Sequence, residues 1–158
     1  MGNAIPDWPD KSRELFFASL RLCERLFWGG GMKENDVAKQ IVDAAFRVHT
    51  SLGPGLLESV YEAVLALELE QRGLRVVRQQ PVPIVYQGMR IEMGYRADLI
   101  VEGCVIVEIK SVEAVAPVHK KQLLTHLRLA DKRLGLLINF NVALIKEGIT
   151  RIANGMPD

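Results

Sequence analysis

"RADLIVEGCVIVEIKS", Arg96 to Ser111, is the stretch whose reading decides the fold. Two apolar, β-branched runs flank Gly103, so it reads as an antiparallel hairpin. Yet it carries Asp98, Glu108 and Lys110, and a buried strand has no packing use for a carboxylate and an ammonium two residues apart. Side chains alternate along a strand, so Val105, Val107 and Ile109 share one face and Ile106, Glu108 and Lys110 the other. Opposed residues of an antiparallel pair point to the same side. A three-residue loop or bulge centred on Gly103 sets Asp98 opposite Glu108. A two-residue turn sets it opposite Val107 and scatters the charges. Any chemistry at this hairpin therefore demands one register.

Outward from the hairpin, the pattern alternates between the periods of strand and helix. Upstream lie strand-like runs at about 75–86 and 90–101, joined by a turn at Gly88, with 104–110 as the third strand. Pro81 and Pro83 suit an edge strand, which loses nothing by a missing N–H. Before these, Val37, Ile41, Ala44, Ala45 and Val48 repeat at helical spacing. Gly53-Pro54-Gly55 interrupts, and a second helix is expected from Leu56 to Arg72, with Leu57, Val60, Val64 and Leu67 as its core seam. Pro117 opens a helix reaching about Ala130. "LGLLINF", Leu134 to Phe140, suits a strand buried on both faces, and a short strand is expected from Val142. The order is α-α-β-β-β-α-β-β, a mixed α/β (α+β) chain.

Composition bounds the setting. The chain has 158 residues, 49% of them hydrophobic and 25% charged, enough for one domain with a real core. No apolar run approaches the roughly 20 residues of a membrane span, and the first segment lacks a secretory pattern. Cys23 and Cys104 show no metal or redox spacing, as expected of a cytoplasmic protein with free thiols. A net charge of +1 exerts no global pull on nucleic acid, so such binding needs a local patch. Residues 11–27 read as a helix with Leu15, Leu22 and Leu26 on its stripe, ended by Gly29-Gly30-Gly31. Residues 1–31 are either an upstream extension, with Met32 as a fresh start, or an N-terminal helix that packs on the domain or a partner. Residues 32–158 are expected to form a single domain.

Two carboxylates held close together repel unless a proton, a lysine or a cation neutralises them. Asp98 and Glu108 oxygens suit a hard cation, Mg²⁺ or Mn²⁺, which keeps waters and also binds phosphate. Lys110 cannot ligate it but can stabilise charge developing on a phosphate. The same spacing is also what a solvated charged patch on the wet face of a hairpin gives. A second feature shifts the balance. "GPGLLESVYEAVL", Gly53 to Leu65, opens a helix with Glu58 and Glu62 one turn apart on one flank, Tyr61 beside them. That flank is either solvated or offers a third carboxylate.

Together these residues resemble the PD-(D/E)XK nuclease superfamily, and Gly55-x-x-Glu58-x-x-Tyr61 resembles the GxxExxY protein family within it. The likeness covers about Val37 to Asn154 and includes "GYRADLIVE", "VIVEIKS", "HKKQLLTHLR" and "GLLINF". It implies a restriction-endonuclease-like mixed sheet flanked by helices, with core order α-β-β-β-α-β. It implies a metal-dependent nuclease in which Asp98 and Glu108, helped by the Ile109 carbonyl, hold Mg²⁺ or Mn²⁺. Glu58 is the expected helix ligand and Glu62 the fallback, with Lys110 the catalytic lysine. The first motif is Ala97-Asp98 and lacks the proline of the superfamily's name.

"PVHKKQLLTHLRLADKR" places His119, Gln122 and His126 near one face and Leu123, Leu127 and Ala130 on another. By the resemblance, Gln122 reaches toward Lys110 or a phosphate. Lys120, Lys121 and Arg128 are the candidate nucleic-acid contacts, against a reading as solvated lysines and arginines. His119 and His126 lack a third ligand at suitable spacing, so no transition-metal site is expected there. DNA rather than RNA is implied as substrate, and a homodimer would supply two sites for two strands. The rival reading is a non-catalytic, nuclease-like module that binds nucleic acid or assists a partner.

Overall fold

A computed structural model describes residues 33–155. The helix expected over 11–27 and the extension expected over 1–31 lie outside the described residues. The chain runs α1 (Glu34–Leu52), α2 (Glu58–Gln71), β1 (Val76–Tyr86), β2 (Met89–Val101), β3 (Val105–Lys110), α3 (Pro117–Leu129), β4 (Leu134–Asn139), α4 (Ile145–Gly148) and β5 (Ile149–Ala153). The five strands form one sheet in sequence order. Only β3 and β4 pair in parallel; the other neighbours are antiparallel. Among the described residues no helix is long and apolar enough to cross a membrane.

Alternation sorts the sheet into two faces. Leu99, Val105, Val107, Ile109, Leu134, Leu136 and Ile138 pack with Val37, Ile41, Ala44 and Val48 of α1 and with α2. Ile100, Ile106 and Leu137 pack on the opposite face with Leu123 and Leu127 of α3. Every residue of β4 is buried, as its unbroken apolar run requires for a strand covered on both sides. Each fully buried Leu, Ile or Val here contributes about 1.5–3 kcal/mol. β1 is the edge strand that its prolines indicate, and its register shifts between Val82 and Ile84, around Pro83.

Two expectations are corrected. The α2 seam is Tyr61, Leu65 and Leu69, with Ala66 and Glu62 beside it. Leu57 is 73% exposed and Leu67 53%, while Val60 is also exposed and Val64 only partly buried against the core. This rotation buries the largest side chain of the helix: the Tyr61 ring stacks on Phe140 with centroids 4.4 Å apart. It also brings Glu62 to two polar partners on β1. The second correction concerns Val142. The last strand starts at Ile149, because a chain leaving β4 needs Asn141–Leu144 and one helical turn before it can return antiparallel.

The turn before α2 is fastened by Tyr61. Its hydroxyl donates to the Gly53 carbonyl at 2.6 Å and accepts from the Leu56 N–H at 3.2 Å. Gly53 and Gly55 take φ of 70° and 100°, where a side chain is strained. Tyr61→Phe should therefore cost about 1 kcal/mol of stability, read as a lowered denaturation midpoint, since it removes the partner of the Gly53 carbonyl and the Leu56 N–H in a part-buried turn.

Candidate functional site at the strand fork

β2 and β3 pair at Leu99–Val107, Ile100–Ile106 and Val101–Val105, which leaves Glu102, Gly103 and Cys104 as a three-residue loop. Gly103 has φ of 64°. This is the register that sets Asp98 opposite Glu108. The ladder then stops, and the rest of β2 pairs only with β1. The two strands fork at Asp98, whose carboxylate fills the fork: Oδ2 accepts the Ile109 N–H at 2.8 Å.

Glu108 and Lys110 lie together on the α3 side of β3, as alternation requires. Lys110 Nζ donates to Glu108 Oε1 at 2.9 Å, with both side chains mostly buried. Glu108 Oε2 is buried and has no hydrogen-bond partner among the described residues. The Lys110 ammonium feels opposed effects: burial pulls its pKa down, but the hydrogen bond to Glu108 and the charges of Glu108, Glu58 and Asp98 together outweigh this and hold it above its ordinary 10.5.

α2 approaches from the other side. Glu58 Oε1 accepts the Ser111 N–H at 3.0 Å, and Ser111 Oγ donates to the Leu56 carbonyl at 2.6 Å. The turn held by Tyr61 is thus tied directly to the end of β3. Glu62 is buried with both oxygens engaged, Oε1 by Arg78 Nε at 2.9 Å and Oε2 by Gln79 Nε2 at 2.6 Å. Gln79 Nε2 also lies 3.4 Å from Asp98 Oδ1. Gln79 takes φ of 51°, a strained conformation outside glycine that tends to gather at functional sites. A cavity of about 190 Å³ collects Glu58, Ser59, Glu62, Gln79, Asp98 and Ile109.

Burial and the Glu108 carboxylate together push the Asp98 pKa from 3.8 to about 6, although the Ile109 N–H opposes them. The folded state therefore binds this proton more tightly than the unfolded chain. Its contribution to stability is fully present below about pH 4 and is lost as pH rises through about 6. Without added cations, Asp98→Asn should be the more stable protein at neutral pH, by roughly 1–2 kcal/mol after solvent screening of a partly exposed group. The gap in melting temperature between the two proteins should close toward about pH 4; a gap independent of pH contradicts this account.

α3 closes the site. The Tyr95 and His126 rings stack at 3.7 Å, and the Tyr95 hydroxyl donates to the His126 carbonyl at 3.1 Å. Burial, then the Glu108 charge, push the Tyr95 phenol up to about 12. Burial pulls the His126 pKa down, which favours the neutral ring 3.9 Å from Glu108 Oε2. Gln122 lies exposed one turn earlier on α3; the residue of this helix that nears the carboxylates is His126. Lys120, Lys121 and Arg128 are exposed. The spacing gave no sign of the Arg78 and Gln79 partners of Glu62 or of the Tyr95–His126 stack, since all join residues from different elements.

A divalent cation fits this donor set. Burial, then the Glu108 charge, raise the Asp98 carboxyl, and Glu108 Oε2 is orphaned in a buried position. Among the described residues no three His, Cys, Asp or Glu side chains gather closely enough to hold a metal by themselves. A hard ion that keeps several waters and uses one or two carboxylates matches that count.

The model of the PD-(D/E)XK nuclease superfamily matches residues 35–152. The chain belongs to this superfamily. Its mixed five-stranded sheet with helices is consistent with the restriction-endonuclease-like fold. Membership in the PD-(D/E)XK superfamily suggests a nuclease, and its members typically use divalent metals such as Mg²⁺. Where the superfamily name has proline this chain has Ala97, fully buried against α3. None of the curated proteins and none of the solved structures matches the chain.

Proposed function

We propose that this chain is a metal-dependent nuclease of the GxxExxY type that hydrolyses phosphodiester bonds in DNA. The observation that carries the reading is Asp98 at the strand fork, bonded to the Ile109 N–H between the paired Glu108 and Lys110, with a buried Glu108 oxygen left without a partner among the described residues. Asp98 and Glu108 would hold Mg²⁺ or Mn²⁺. Glu58 is the better candidate for a helix ligand, because one of its oxygens stays uncommitted while both oxygens of Glu62 are bound. When bound, the cation supplies Lewis acidity toward the phosphate and lowers the pKa of the water it carries. Lys110 stabilises the charge that develops on the phosphate. Exposed Lys120, Lys121 and Arg128 neutralise flanking phosphates, Gln122 contacts the backbone nearer the site, and a homodimer would present two such forks to a duplex.

The near-neutral net charge favours the rival reading, a non-catalytic module of the same fold. The complete Asp98, Glu108 and Lys110 set supports catalysis. The test is a panel of single-stranded, duplex and branched DNA and of RNA, each incubated with Mg²⁺ or Mn²⁺. Cleavage of at least one DNA substrate is expected. No cleavage of any member, with tight nucleic-acid binding intact, would favour the non-catalytic module.

A further inference from the structure

Two polar atoms face each other across 3.9 Å at the back of the site, Glu108 Oε2 and His126 Nδ1. Both are buried, and neither has a hydrogen-bond partner among the described residues. Orphaned polar atoms are costly, and a paired arrangement is therefore favoured whenever the side chains can reach it. They can reach it here. The terminal torsions of His and Glu are broad, so a small rotation of either side chain closes the gap. The imidazole is held in place by its stack on Tyr95, whose hydroxyl is anchored to the His126 carbonyl. The other Glu108 oxygen is already committed to Lys110.

We propose that His126 is a positioning residue for Glu108: its Nδ1–H donates to Oε2 and fixes the plane of the carboxylate toward the Asp98 fork. The inference rests on the metal-dependent nuclease reading. Each Glu108 oxygen keeps a second lone pair for a cation after Lys110 and His126 have taken one. Groups that orient a ligating carboxylate in this way typically change metal affinity 10–100-fold when removed.

The test is a calorimetric titration of Mn²⁺ into the full chain and two variants. His126→Phe keeps an aromatic ring on Tyr95 but has no ring nitrogen, whereas His126→Asn offers an amide N–H near the Nδ1 position. His126→Phe should weaken Mn²⁺ binding about tenfold or more, and His126→Asn should recover most of that loss. In the metal-free, unmutated protein, ¹⁵N spectra should show the His126 ring as the Nδ1–H tautomer, a readout that survives any folding failure of the variants. Wild-type affinity in His126→Phe, or an Nε2–H tautomer, overturns the inference and leaves the nuclease reading standing. Failure of the wild-type chain to bind Mn²⁺ overturns both.

Discussion

Lys110→Ala should lower the rate of DNA cleavage by about 10²–10³-fold while leaving Mn²⁺ affinity unchanged or tighter. The two halves of this expectation have separate causes. Removing the ammonium takes away the group placed to meet charge developing on the phosphate, and a 10³-fold loss corresponds to about 4 kcal/mol of transition-state stabilisation. The same ammonium sits 2.9 Å from Glu108 Oε1 and competes with any cation for that carboxylate. Its loss leaves Asp98 and Glu108 facing each other with one positive charge fewer, which favours cation capture. Single-turnover cleavage and Mn²⁺ titration of the same variant check the claim. Parallel loss of binding and cleavage would instead make Lys110 a prop for the site.

Gly148→Ala should be the most damaging single methyl addition outside the site. Gly148 is buried at the end of α4, and a Cβ there would run into the carbonyl oxygen of Asn139 and come within 2.9 Å of Val142 Cγ2. A backbone carbonyl cannot rotate away as a side chain can. The cost should therefore reach about 3 kcal/mol, the upper end of ordinary overpacking. The effect should also extend to the fork. Asn139 Oδ1 accepts the Val112 N–H at 3.1 Å and its Nδ2 donates to the Val112 carbonyl at 2.8 Å. Asn139 therefore fixes the segment that follows Lys110, and Phe140 N–H bonds the Lys110 carbonyl at 2.9 Å. Chemical denaturation should show a lowered midpoint, and cleavage by the folded fraction should fall as well. For comparison, Gly135→Ala meets only the Leu123 side chain, at 3.0–3.1 Å, and should cost less.

What the sequence made legible was local. Alternation put Glu108 and Lys110 on one face and left two registers for Asp98, of which the structure forms the three-residue loop that sets it opposite Glu108. The apolar run at Leu134 and the prolines of β1 likewise located a central and an edge strand. The face of α2 was misread because apolar residues lie on two sides of that helix. Tyr61 and Glu62 decide which side is buried, and the partners that make burial of Glu62 tolerable, Arg78 and Gln79, belong to β1. The fork itself was equally hidden. Nothing in the spacing indicates that β2 leaves β3 at Asp98 or that a carboxylate takes over the Ile109 N–H. His126 lies near Glu108 only because α3 packs across the sheet, a contact that helical periodicity cannot supply.

The central claim is that the Asp98–Glu108 pair makes phosphodiester hydrolysis depend on a divalent cation. Single-turnover cleavage of end-labelled DNA, with Mn²⁺ or with a chelator, tests it most directly when wild type and Glu108→Gln are run side by side. Glu108→Gln keeps the size of the side chain and removes its charge. Wild type should cleave with Mn²⁺ and stop with chelator, and Glu108→Gln should be slower by at least about 10²-fold. Equal cleavage by the two proteins, or wild-type cleavage that persists in chelator, would contradict the account.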